Sequence, residues 1–192
     1  MQSRETDLDF ASRLLEEEGI FYFFEHGKGT HTLVLGDARS ACPPLPGGAR
    51  ISYREQGMVP GEEAFTAFGG RRRMRPSGVV LRDVNYLIPQ VDLTASAGGG
   101  KGEQEVYDHH GRYGTPEVGQ ALAKVRLEEA QAKAARWSGR STSRRLCPGY
   151  VFELARCPDG GMDGEYLVVS VAHRGDQPEA LAGVQASGKS GY

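Results

Sequence analysis

The stretch Asp7-Leu8-Asp9-Phe10-Ala11-Ser12-Arg13-Leu14-Leu15-Glu16-Glu17-Glu18-Gly19-Ile20-Phe21-Tyr22-Phe23-Phe24 changes its hydrophobic period partway along, and that change decides the fold class. Up to Glu18, Leu8, Ala11 and Leu15 recur at helical spacing. Phe10 and Leu14 widen the stripe, and Arg13 and Glu16 to Glu18 fill the other side. Thr6 and Asp9 stand at capping-box spacing, and Gly19 offers the left-handed residue that ends a helix. The pattern predicts a helix over 6–19 that lies on a larger body, with Leu15 buried against the downstream hairpin. Ile20 to Phe24 is too short for a buried helix and dense in aromatic residues, so it predicts the first strand of that hairpin. His26 to Gly29 supplies a turn, and Thr32 to Leu35 returns as the partner strand.

Beyond the hairpin, the stretch from Gly36 to Gly48, with Pro43, Pro44 and Pro46, predicts an exposed loop. The short runs Ile51 to Arg54, Ala64 to Phe68, Val79 to Leu81 and Val91 to Ala95 come next, separated by glycine and proline breaks. They predict a small barrel or sandwich. A glycine-rich loop over 97–102 precedes a further strand near Glu105 to Tyr107. Pro116, one residue after a possible cap at Thr115, opens the longest helical pattern, reaching about Arg136 with Val118, Leu122, Val125 and Ala132 near one face. Gly119 weakens that helix near its start. Tyr150 to Ala155 and Tyr166 to Ala172 flank a turn at Pro158 to Gly161 and predict a second hairpin. The fold class is therefore mainly β with two or more helices, an α+β arrangement. Residues 1–176 form the folded module, and 177–192, small, polar and glycine-containing, form a flexible tail or linker.

The 192 residues suffice for one ordinary domain or two small ones. The formal net charge of -2 disfavours a general nucleic-acid role. Cys42, Cys147 and Cys157 are odd in number and lack CxxC spacing, which suggests free thiols and no structural zinc site. No apolar run approaches the roughly 20 residues of a membrane span, and the N-terminus lacks the apolar core of a signal peptide. The chain is expected to be made in the cytoplasm, without stable membrane insertion.

Few residues suggest chemistry. Gly183 to Ser190 matches the phosphate-loop pattern G-x-x-x-x-G-K-[ST] through Gly183, Gly188, Lys189 and Ser190. Only Gly191 and Tyr192 remain after it, so no helix can present its N-terminus to a phosphate, and the match reads as coincidence. His109 and His110, beside Asp108 and downstream of Glu103 and Glu105, resemble a loose metal set. Adjacent strand residues point to opposite faces, which predicts that the two rings diverge. His173 reads as a satisfied polar group at a strand end. Arg71, Arg72, Arg73 and Arg75 form the concentrated basic patch, suited either to a phosphate or acidic surface or to protecting a strand edge. No nucleophile is paired with a base. We therefore expect no catalytic, cofactor-binding or metal-binding residues, no cofactor and no enzymatic activity; a phosphate or nucleotide binder using Gly183–Ser190 or Arg71–Arg75 is the alternative.

The order of segments resembles a known family. Arg4 to Phe10, then Arg13 to His26, is similar to the signature of the VgrG and phage late-control D family. Arg75 to Gly78 with Leu81 to Tyr86 and Pro89, Tyr107-Asp108 with Gly111 to Tyr113, Ala123 to Glu129, Leu146 to Leu154, and Glu165 to Gly175 continue it in family order. The resemblance implies β-barrel modules of the phage tail-hub type. It also implies a homotrimer that adapts a threefold spike to a sixfold Hcp-like tube in a type VI secretion or related contractile injection machine, with tube, spike and effector proteins as partners and delivery out of the cell. It further implies that Lys133 to Thr142 becomes a strand, and that the chain begins within the family's hub and stops before its OB-fold and needle. A free-standing hub fragment that regulates assembly is a further alternative. The trimer rests on resemblance alone, since 39% hydrophobic and 8% aromatic residues are ordinary for a monomer.

Overall fold

A computed structural model describes residues 2, 4–55, 61–99 and 104–175. The Gly183–Ser190 loop with Lys189, the 177–192 tail and Glu103 lie outside them.

Helix α1 spans Asp7–Glu17, and both of its predicted ends hold. Thr6 is extended, and its hydroxyl accepts the Asp9 N–H at 3.2 Å while donating to the Asp9 carboxylate at 2.7 Å. Gly19 adopts a φ of 74°, its N–H donating to Glu16 and that of Ile20 to Leu15, a Schellman closure. The predicted burial of its stripe does not hold. No α1 residue is buried; Leu8 is 64% exposed, and Leu15 is only half-buried. The reason is that α1 does not pack broadly on the hairpin; it reaches it through a 3.0 Å hydrogen bond between Ser12 and Tyr22.

Strands β1 (Phe21–Gly27) and β2 (Thr30–Gly36) form the predicted antiparallel hairpin about Lys28 and Gly29. One face carries Phe23, buried against Tyr150 and Gly149. The other, with Phe24, Leu33 and Leu35, is exposed. The segment after β2 is not the exposed loop its prolines suggest. A short 3-10 turn at Arg39–Ala41 leads to buried Cys42 and Leu45, and the Leu45 N–H donates to Val151 at 2.8 Å. Prolines without a donor can still lie along a strand edge while their apolar neighbours fill a core.

The main sheet orders its strands β10-β9-β3-β4-β8, where β3 is Arg50–Tyr53, β4 Ala64–Arg72, β8 Ala135–Ser141, β9 Val151–Ala155 and β10 Gly164–Leu167. The predicted β9–β10 hairpin forms, but β10 stops at Leu167, opposite the first residue of β9, and Val169 and Val171, predicted to continue the strand, have no strand partner among the described residues and stand exposed. Central β3 runs parallel to both neighbours. Leu45, Ile51, Phe65, Leu146, Phe152, Leu154 and Val168 make the core on this sheet. The sheet curls until its edges meet: Tyr166 on β10 lies 5.6 Å, centroid to centroid, from Trp137 on β8, and both pack on Phe68 of β4. Side chains thus join the edges that backbone hydrogen bonds leave apart, a barrel-like closure, although the predicted runs at 79–81 and 91–95 belong to a separate sheet and not to this one.

Between β4 and β8 the chain builds a second core. Strands β5 (Gly78–Asp83), β6 (Leu93–Gly98) and β7 (Glu105–His109) order as β6-β5-β7, with β5 antiparallel to β6 and parallel to β7. Helix α2, Pro116–Gln131, covers β6 and β5. Its buried residues are Gly119 and Ala123, not the larger Val118, which is exposed. Small residues face the sheet because buried Tyr113 fills the gap: a Cβ on Gly119 would lie 2.3 Å from its ring, while its hydroxyl reaches the Leu81 and Leu93 carbonyls. Thr115 is at the cap position, though its side chain makes no capping bond. The helix ends at Gln131 rather than near Arg136, because β4 takes 135–141 as a strand partner.

One side-chain knot ties three loops together. The Arg145 Nε donates to both Glu63 oxygens, at 3.0 and 2.8 Å, and its Nη2 also donates to Glu63. Its Nη1 donates to the carbonyls of Pro46 and Gly48. The guanidinium hydrogen bonds hold the Glu63 carboxyl below its usual range, against the opposing effect of partial burial.

Candidate interaction surfaces

Among the described residues, a run of exposed large apolar side chains sits in the β5–β6 connection. Asn85 organises this loop: its side chain accepts the Leu87 N–H at 3.0 Å, and its carbonyl accepts that of Ile88 at 3.0 Å. The turn projects Tyr86, 86% exposed, and Leu87, 78% exposed, with Val84 and Ile88 beside them. Asp83 anchors the base of the loop by accepting the N–H groups of Val84 at 2.7 Å and Arg112 at 2.6 Å. Those bonds keep its carboxyl below the ordinary range. An ordered loop that turns its large apolar side chains to solvent is built for contact with another surface. Sequence reasoning missed this; the available signal was a run of apolar residues between Asn85 and Pro89, two turn formers.

The outer hairpin face is a second surface of this kind, with Phe24, Leu33 and Leu35 exposed. The third surface is cationic. Arg71 and Arg72 end β4, Arg71 lies directly opposite Arg136 on β8, and Arg73 continues the edge by donating its N–H to Ala134. Arg71, Arg72 and Arg73 are exposed. Arg75 is half-buried, and its Nε has no hydrogen-bond partner among the described residues. Like charges facing across a strand pair disfavour the pairing unless an anion approaches.

The remaining candidates separate. His109 ends β7, and the next residue, His110, has a φ of 77°. This left-handed residue overturns the predicted divergence of the rings, whose centroids are 4.3 Å apart. Glu105 and Asp108 lie on β7, yet among the described residues no three His, Cys, Asp or Glu side chains form a metal-holding group. The His173 Nε2 donates to the Leu146 carbonyl at 3.0 Å, beyond the end of β10 rather than at a strand end. Cys42, Cys147 and Cys157 are free, and burial pushes the Cys42 and Cys157 thiols up. No helix among the described residues is long and apolar enough to cross a membrane.

Among the described residues, curled sheets and two α-helices thus present exposed apolar and cationic surfaces suited to assembly. Residues 1–179 match the phage tail baseplate hub (GPD) family, and the chain belongs to it. Among its relatives, the type VI secretion system spike protein VgrG5 of Pseudomonas aeruginosa is 35% identical over 185 residues, covering 94% of this chain and 23% of that protein. The actin cross-linking toxin VgrG1 of Vibrio cholerae is 33% identical over 200 residues, covering 100% of this chain and 18% of that protein. The chain thus spans about a quarter or less of these relatives' length. The fold is shared with the 43 kDa tail protein of prophage MuSo2 from Shewanella oneidensis, at a TM-score of 0.59 and 14% identity over 88% of this chain and 50% of that one.

Proposed function

We propose that this chain is a structural hub module of a type VI secretion spike or related injection machine, acting within a trimer as the adaptor between an Hcp-like tube and the spike. The observation that carries the reading is the β5–β6 loop: Tyr86, Leu87 and Ile88 are held by local hydrogen bonds in an exposed apolar cluster, which an assembly would cover. The arginine edge at Arg71–Arg73 suits an acidic protein surface. In this role the protein contributes no catalytic chemistry; it is made in the cytoplasm and delivered as part of the apparatus. Sedimentation of the chain at micromolar concentration tests the proposal. A threefold mass that Leu87→Asp returns to the monomer supports it. A parent that sediments as a monomer, indistinguishable from the variant, refutes trimerisation through this loop.

A further inference from the structure

Two imidazoles meet at the tip of the β1–β2 hairpin. His26 and His31 are register partners, one step in from the Gly27 and Thr30 pair at the turn. Their Nδ1 atoms are 2.7 Å apart, with ring centroids 4.9 Å apart and planes at 75°. Two bare lone pairs repel at that distance, and so do two N–H groups, so one nitrogen carries a proton directed at the other. The strands fix both Cβ atoms, and the His26 ring lies nearly parallel to Phe24, at 6.5 Å and 16°. The two nitrogens are therefore brought together by backbone register and ring packing rather than by chance side-chain excursions.

We propose that a borderline divalent transition-metal ion, Zn2+, Ni2+ or Cu2+, replaces that shared proton and is held by Nδ1 of His26 and Nδ1 of His31, with water completing its shell. Imidazole–metal bonds of about 2.0–2.1 Å place neighbouring nitrogens about 2.9 Å apart at a right angle and about 3.3 Å apart in a tetrahedron. The nitrogens need to separate by only a few tenths of an ångström, and each ring must turn so that its Nδ1 lone pair points at the ion rather than at the other nitrogen. The Nδ1–H tautomer moves its proton through solvent to its own Nε2, so binding to the neutral pair releases no net proton. Both side chains are exposed, which leaves Nε2 and the outer coordination positions open to water. A pair of nitrogen donors favours these ions over Mg2+ or Ca2+, which require oxygen ligands.

The test uses the full chain, with the neighbouring rings of His109 and His110 as an internal comparison. Substoichiometric Ni2+ is expected to broaden the imidazole NMR signals of His26 and His31 before those of His109, His110 and His173. Calorimetric titration with Zn2+ is expected to show a site whose Kd rises at least about tenfold in His31→Ala and likewise in His26→Ala. Thermal melts of both variants check that they remain folded, and His109→Ala leaves the site intact. Broadening of His109 or His110 first, Zn2+ affinity unchanged by either hairpin substitution, or no saturable Zn2+ binding up to millimolar concentration overturns the proposal.

Discussion

Replacing Arg145 by alanine is the sharpest test of how this module is held together. The guanidinium makes a forked pair with Glu63 and donates to two backbone carbonyls of the 46–48 segment. Both side chains are 30% exposed, so water screens the pair and the full penalty for breaking a buried ion pair does not apply. Charge-assisted hydrogen bonds of this kind contribute about 1.5–3 kcal/mol before such screening. For the whole knot we expect a loss of about 2–3 kcal/mol, which lowers the melting temperature of a chain this size by roughly 4–12 °C. Arg145→Lys keeps the charge but not the fork and should recover less than half. The pH dependence has a definite sign. Because the Glu63 pKa is depressed below its ordinary value of 4.5, its contribution is fully present above that value and is lost as pH falls through the lower folded value. Melting curves from pH 7 down to pH 3 for the parent, Arg145→Ala and Glu63→Gln provide the comparison. The reasoning fails if Arg145→Ala melts within a degree of the parent, or if the parent and Glu63→Gln lose stability equally on acidification.

Gly119→Ala sets helix propensity against packing. The propensity gain is about 1 kcal/mol, but the Cβ collides with the buried Tyr113 ring, so denaturant titration should show a net loss of about 1–2 kcal/mol. Gly149→Ala combines a left-handed backbone with a Cβ placed 2.3 Å from Phe23. It should cost more than about 2 kcal/mol and make the hairpin more susceptible to limited proteolysis. Leu15→Asp, at a half-buried site, should cost only about 1 kcal/mol and leave the cooperative melt intact; complete unfolding would mean that α1 is packed far more deeply than its exposed and half-buried residues indicate.

Legibility differed between local and long-range features. Thr6, Gly19 and the Lys28-Gly29 turn act through bonds to near neighbours, and both helix ends and the first hairpin were readable from them. The alanine-rich stretch up to Arg136 carries a helical pattern, and propensity alone extends α2 that far; only the demand of β4 for a partner, absent from any local window, turns 135–141 into a strand. Leu45 likewise is buried because Val151, far along the chain, accepts its N–H. The candidate surfaces divided in the same way. The arginine run is visible as letters, whereas the exposure of Tyr86 and Leu87 depends on what the rest of the chain leaves uncovered. The register of His26 with His31 is set by the turn, but their ring contact requires coordinates.

The second core, between β4 and β8, is a loop of the first sheet that has a fold of its own. This nesting bears on the order in which the protein can form as it leaves the ribosome. Strand β3 has its partner β9 about a hundred residues downstream, so the main sheet cannot be completed until nearly the whole module has emerged. The insert, β5 to α2, draws its core from residues 79–123 and needs nothing later in the chain than α2 to cover it. It can therefore close while β3 and β4 still wait with unpaired edges, and once closed it holds the ends of β4 and β8 near each other. That shortens the effective loop separating them and lowers its closure entropy. A translation pause between α2 and β9 would extend the life of the half-built sheet, whose open parallel strands are the part of this protein most exposed to misassociation.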